Sequence, residues 1–198
     1  MRTDALIIEG PAGFEPTTED YGYPLINRQI KTLLLAKPYR VLAAGDENMK
    51  SVVAKCTRLG ADFFYPGVLA YDKHNEKNSF FCALKYLQNK CDRILSTSAN
   101  YPFVNIETYR RVMESDVEIA VAEYEGNRGW PILTSVALID ETPELGSLDA
   151  LLDAHAESAA IVGVYDVGAV TDVYAEGFTA ERGKTLAKTI RCTNCTRP

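Results

Sequence analysis

Apolar residues along the chain fall into short blocks that alternate between two spacings. Ala5–Ile8 is a compact block running into Gly10-Pro11-Ala12-Gly13, the pattern of a buried strand entering a loop. Leu25, Ile26, Gln29, Ile30, Leu33 and Leu34 recur at helical spacing within Leu25–Ala36, with Pro24 near the first turn. Arg40–Ala44 predicts a second strand, stopped by Gly45-Asp46, and Met49–Leu59 a helix that Gly60 would cap. Ala61–Tyr65 and Arg93–Thr97 read as strands. Between them, Ser79–Asn89 is an amphipathic helix carrying Phe80, Ala83, Leu84 and Leu87 on one side. Ile106–Glu114 is the next helix. This alternation favours a mostly parallel sheet with helices on both faces.

The rhythm then changes. Val117–Tyr124 and Pro131–Leu138 predict two longer strands separated by Glu125-Gly126-Asn127-Arg128-Gly129. A short helix at Leu148–His155, a strand at Ala159–Tyr165 and a last helix over about Ala180–Ile190 complete the pattern. The expectation is one α/β domain over residues 1–190, with a mixed sheet and a frayed tail at 191–198.

Composition narrows the class. With 46% hydrophobic and 24% charged residues, the 198-residue chain has enough apolar surface for a packed core. No apolar run approaches the roughly 20 residues of a membrane-spanning helix, and Asp4 interrupts the first apolar stretch, so a cytoplasmic protein is expected. Five scattered cysteines do not form a disulfide framework. A net charge of −6 argues against non-specific nucleic-acid binding, which draws on positive charge.

Candidate chemistry sits in the loops that follow strands, where open α/β sheets bind ligands. The first loop carries Gly10, Gly13 and Gly22, whose backbone N–H groups could approach an anion, but it holds Glu9, Glu15, Glu19 and Asp20 and no Lys or Arg. Asp166 and Asp172 each follow an apolar run, and two such carboxylates can hold a hard divalent ion; turn capping is the alternative. Asn100 follows the fourth strand and offers a neutral oxygen ligand or a turn. Trp130, the only tryptophan, could stack on a base or pack in the core or a lid. His74 and His155 have no evident nucleophile partner, and GxSxG, GxxxxGK[ST] and HExxH strings are absent. Cys192 and Cys195 form a lone CxxC, short of the four ligands of a zinc site.

The order of these landmarks resembles the molybdenum-cofactor nucleotidyltransferase-like (MobA-like NTP transferase) family. ALIIEGPAG at Ala5–Gly13 resembles its opening strand and glycine-rich nucleotide loop, and GYPLINRQI at Gly22–Ile30 the segment that starts the next helix. STSANYPFVNIETYRRV resembles the strand ending in Asp-x-Pro and its helix. EGNRGWPILTSVAL is similar to the Gly-His-Pro acceptor-side loop, SLDALLDAH to a short late helix, and VYDVGAVTDVYAEGF to the closing metal-binding segment. The resemblance implies a three-layer α/β/α sandwich of Rossmann-like nucleotidyltransferase type. It implies Mg-dependent transfer of a nucleotidyl group from CTP or GTP to a molybdopterin-like acceptor. Gly10 and Gly13 would then cradle phosphate; Asn100, Asp172 and Asp166 would hold the metal; Gly129, Trp130 and Pro131 would form the acceptor-side loop.

The departures fall on charged groups. Pro11 replaces the second glycine of the family's pair, Glu15 stands at the position of an Arg, and the Lys-bearing stretch is shortened. Asn100 replaces the metal-binding Asp, Trp130 the His, and Tyr174 a second Asp after Asp172. Arg28, Lys31 or the Arg182, Lys184 and Lys188 group could restore some positive charge. Phosphoryl-type transfer is mostly positioning and charge neutralisation. Two readings follow: a divergent transferase, and a non-catalytic relative, a pseudoenzyme, that binds a partner protein or small ligand in the same cleft.

Overall fold

Alternate side chains of the first strand point into two separate apolar layers, and this fixes the architecture. In the computed structural model, residues 1–8, 19–20, 23–45, 57–64, 78–141, 145–179 and 181–186 are described. The strands are β1 (Thr3–Ile8), β2 (Glu19–Asp20), β3 (Tyr23–Pro24), β4 (Arg40–Ala44), β5 (Asp62–Phe64), β6 (Arg93–Ser98), β7 (Ile119–Tyr124), β8 (Asn127–Ser135) and β9 (Ala160–Gly163). The helices include α1 (Leu25–Ala36), α2 (Asn78–Gln88), α3 (Ile106–Met113) and α4 (Leu148–Ala154), and residues 181–186 are helical as well. Seven strands form one sheet in the order β5-β4-β1-β6-β8-β7-β9, and β2 and β3 pair separately. Within the large sheet β8 runs antiparallel to both β6 and β7, while every other pairing is parallel.

Ala5 and Ile7 of β1 pack with Ile26, Ile30 and Leu33 of α1 and Tyr109 and Val112 of α3. Leu6, between them, packs on the opposite face with Ala83, Leu84 and Leu87 of α2. Further along that opposite face, Ile119, Val121 and Ile132 meet Leu148, Leu151 and Leu152 of α4. The result is the three-layer sandwich expected from the alternation of strands and helices, with period-two burial in the sheet and 3.6-residue stripes on the helices.

Local signals set most of the ends. Lys37 adopts φ 65° and sends its N–H to Leu33 O and Leu34 O, closing α1 before Pro38. Asn105 caps α3 by accepting from Thr108 N, and Ser147 caps α4 by accepting from Ala150 N. Gly60 takes φ 91° after a 3-10 turn at Thr57–Leu59, the described remnant of the helix expected over residues 49–59.

Two expectations need correction. The link between β7 and β8 is not a five-residue loop: Glu125 and Gly126, at φ 51° and 81°, make a two-residue turn of the primed kind, and Tyr124 pairs with Asn127. Gly129, Trp130 and Pro131 therefore belong to strand β8 rather than to a loop. They occupy an irregular stretch of pairing between Arg128 and Ile132, where the missing N–H of Pro131 breaks no ladder. At its far end β8 stops at Ser135, and Val136–Leu138 coil into a 3-10 turn because Ser135 caps Ala137 N.

One buried charge is fastened across the sheet. Asp4 is fully buried in β1, in register with Arg40 of β4, whose Nε and Nη2 reach Asp4 Oδ2 at 3.1 and 2.5 Å. Arg2 lies 3.6 Å from Oδ1 on the same side. Removing one partner of a buried pair leaves an uncompensated charge, so Asp4→Ala should cost about 3 kcal/mol of stability, read as a lower urea midpoint. An unchanged midpoint would show that Arg40 finds water instead.

Candidate functional site

The parallel strands β4, β1 and β6 end on one side of the sheet, and the chain following β6 is held there by buried polar contacts. Gln29 is a polar residue on the buried stripe of α1, 1% exposed. Its amide N–H groups donate to Thr97 Oγ1 at 3.2 Å, Ser98 O at 2.8 Å and Tyr101 O at 3.4 Å. Beneath it, Thr97 Oγ1 lies 3.4 Å from the fully buried Tyr109 hydroxyl, whose proton burial holds more tightly than usual. Helix α1 thus clasps residues 97–101 through one side chain. Arg28, beside Gln29, places its guanidinium 5.3 Å from the Phe103 ring centre.

The closing segment docks onto this stretch. Val173 N donates to Asn100 O at 3.0 Å, and Asn100 Nδ2 donates to Asp172 Oδ2 at 3.2 Å. Asp172 Oδ1 accepts from Tyr174 N at 2.7 Å, a local turn that fixes the carboxylate. Two residues separated by 72 positions, both expected in a metal site, are therefore in contact. Asn100 is 4% exposed, and its Oδ1 has no hydrogen-bond partner. Turning the amide about its last torsion would exchange Oδ1 and Nδ2 and set two oxygens toward one cation.

Asp166 plays a different part. Its Oδ2 accepts from Asn105 N at 2.9 Å and Thr108 Oγ1 at 2.7 Å, and its Oδ1 accepts from Gly168 N at 3.0 Å. Burial raises its carboxyl above the ordinary Asp value against the pull of those donors. Both oxygens are engaged inside the protein, so Asp166 braces the 3-10 turn Val167–Val170 against the start of α3 instead of joining Asn100 and Asp172 as a ligand. Close packing completes the brace. A Cβ on Gly168 would lie 2.2 Å from Phe103 O, and one on Gly129 2.2 Å from Ala169 O. Gly129 thus serves the approach of β8 to this turn.

Trp130 and Tyr101 stand side by side, with ring centres 6.1 Å apart and planes tilted by 46°. The Trp130 indole N–H reaches the Tyr101 hydroxyl, whose pKa is raised by burial and then by the charges of Asp172 and Asp149. Trp130 also packs against the apolar layer containing Leu148 and Leu152. The sequence pointed to Asn100, Asp172 and Trp130 but missed Tyr101, Gln29 and Asp149. Gln29 had a signal, a polar side chain on an apolar helical stripe. Gly10, Gly13, Glu15, His74, Cys192 and Cys195 lie outside the described residues. His155 closes α4 with its Nε2 2.8 Å from Glu141 Oε2.

No protein-family model matches the chain, and no curated protein matches it in sequence. Solved structures do match in shape. A nucleotidyl transferase from Methanothermobacter (Mth528) superposes with a TM-score of 0.73 at 13% identity, over 95% of this chain and 99% of that one. The chain shares the fold of that transferase. Rv0371c from Mycobacterium tuberculosis, crystallised with manganese, matches with a TM-score of 0.71 at 14% identity over 96% of this chain and 100% of its own. The 4-diphosphocytidyl-2C-methyl-D-erythritol synthase of Anaerococcus prevotii matches with 0.70 at 11% identity, over 98% and 96%.

The assignment of Asp166 to bracing has a direct test. Asp166→Ala strands three donors and should lower stability by about 3 kcal/mol in chemical denaturation. Because the braced turn presents Asp172, divalent-ion affinity should fall with it, whereas Asp166→Asn, which keeps an acceptor for Asn105 N and Thr108 Oγ1, should stay within twofold of the parent. A tenfold loss of metal affinity at unchanged stability would return Asp166 to the ligand set.

Proposed function

We propose that this chain binds a nucleoside triphosphate, CTP or GTP, with a divalent ion at the ends of β1 and β6, as a divergent nucleotidyltransferase of MobA-like type. The observation that carries the reading is the Asn100–Asp172 contact with its unpartnered, buried Asn100 Oδ1. The residues fit a cation of the magnesium or manganese kind. Among the described residues no group of three His, Cys, Asp or Glu side chains gathers to hold a metal. Magnesium, however, is commonly held by one or two carboxylates together with substrate phosphates and water. Asp172 would supply the carboxylate and Asn100 a neutral oxygen. The ion would neutralise charge on the phosphates of the nucleotide.

In the reaction proposed, an acceptor phosphate oxygen attacks the α-phosphorus of the nucleotide. A new P–O bond forms, the bond to the bridging oxygen between the α- and β-phosphorus breaks, and pyrophosphate leaves. The chain's share of this work is positioning. Gln29 holds residues 97–101, Asp166 holds the turn that presents Asp172, and Tyr101 with Trp130 forms a wall on the acceptor side. Gly10 and Gly13 would cradle phosphate through backbone N–H groups.

One observation favours the second reading, a binding relative without catalysis. Where the family has a carboxylate, Asn100 offers an amide, so the pair carries a single negative charge. The molybdopterin-like acceptor implied by the resemblance is itself a phosphate, and the sequence has no Lys or Arg between Arg128 and Arg182 to receive it. Arg128 meanwhile pairs with Asp153 at 2.6 Å.

Thermal unfolding with CTP or GTP and magnesium separates the outcomes. Binding should stabilise the native state by about 2.7 kcal/mol at a hundredfold excess over Kd. Asp172→Ala should abolish the metal-dependent part, and Asn100→Asp should raise metal affinity at least tenfold. Stabilisation without pyrophosphate release when a phosphorylated acceptor is also present would select the binding relative. No shift with any nucleotide would sink the transferase reading and leave a relative that binds a partner protein or another small ligand.

A further inference from the structure

The acceptor side of this site is built from aromatic faces and carboxylates, which is the wrong lining for an anion and the right one for an organic cation. Tyr101 and Trp130 stand 6.1 Å apart at a 46° tilt, so the two rings present neighbouring π-surfaces rather than a closed stack. Both are half-buried, which leaves part of each ring accessible. Trp130 rests on the apolar layer that contains Leu148, and Asp149 is the next residue, exposed in the first turn of α4. On the other flank, Asp172 is tied to Asn100, the neighbour of Tyr101. Asn100 itself is 4% exposed, and its side-chain Oδ1 has no donor.

Positive charge is scarce here. The sequence from Gly129 to Glu181 contains no Lys or Arg, and the flanking Arg128 is engaged by Asp153. Quaternary and alkylated ammonium groups are recognised by electron-rich ring faces with a carboxylate nearby, because the ring quadrupole attracts the cation while its methyl groups pack as apolar surface. An inorganic cation would not gain from the rings in that way, and a phosphate would be repelled by Asp149 and Asp172.

We propose that the Tyr101–Trp130 pair beside Asp149 is a binding site for an organic ammonium group. It rests on the reading of this cleft as a nucleotidyl-transfer site and adds the acceptor's chemical class to it. The acceptor would be a phosphorylated compound whose other end is an ammonium, its phosphate toward the nucleotide and its cation against the rings.

Trp130 is the only tryptophan, so its fluorescence reports on this site alone. Titration with choline, at constant ionic strength held with sodium chloride, should change the emission saturably. The uncharged isostere 3,3-dimethylbutan-1-ol should bind at least tenfold more weakly. Asp149→Asn and Tyr101→Leu should each weaken choline at least fivefold. Glu141→Gln, at the opposite end of α4 against His155, should leave the affinity unchanged. Equal affinity for choline and its neutral isostere would overturn the proposal, as would the absence of saturation or an equal response from Glu141→Gln. No nucleotide is present in the titration. A chain that binds choline but ignores CTP and GTP would keep this site and lose the transferase reading, and the reverse result would do the opposite.

Discussion

The candidate site depends on a buried carboxylate whose two oxygens are both taken by donors within the chain. Asp166 gathers Asn105 N, Thr108 Oγ1 and Gly168 N around its two oxygens and so ties the turn after β9 to the start of α3. Desolvating that carboxylate is unfavourable, as its raised pKa records, and the donors offset the penalty. The geometry gained is specific. With the turn locked, Thr171 Oγ1 can bond back to Val167 O, Val173 N reaches Asn100 O, and Asp172 arrives within hydrogen-bond distance of the Asn100 amide. Glycines at 129 and 168 permit the backbone contacts on either side. A looser turn would leave Asp172 as one more exposed acid among those between Asp140 and Glu181.

Much of the architecture was legible because it follows from local periodicity. The bounds of α1 and β4 agree with the apolar pattern, and the layered sandwich follows from strands alternating with helices. What was not legible involved two kinds of information. Backbone conformations hidden in ordinary residues came first: Glu125 at positive φ shortened a loop that its composition made look long, and Gly126 completed the turn. Contacts between distant segments came second. No spacing rule links Gln29 to Ser98, or Trp130 to Tyr101, since each pair meets only through the crossing of elements.

The same division applies to the site. Asn100 and Asp172 are legible as site residues because a strand end and a following turn are places where side chains project, and the family resemblance aligns both. Asp166 stands out in the sequence for the same reason, yet its surroundings make it a brace. A residue type and its position after a strand cannot distinguish a carboxylate aimed at solvent from one turned inward. Burial and the donor set can.

An amide at Asn100 in place of a second carboxylate would also change how metal and nucleotide depend on one another. A site with two carboxylates can hold a divalent ion before the nucleotide arrives. A site with one carboxylate and one amide oxygen supplies half that charge and depends on the phosphates for the remaining ligands. Metal affinity and nucleotide affinity are then coupled, and the coupling is reciprocal: whatever factor the nucleotide adds to metal binding, the metal returns to nucleotide binding. On this view the Asn100–Asp172 hydrogen bond is the resting arrangement of the pair, satisfied by the amide N–H. Loading the ion requires that bond to break and the amide to turn, and that requirement further favours metal and nucleotide arriving together.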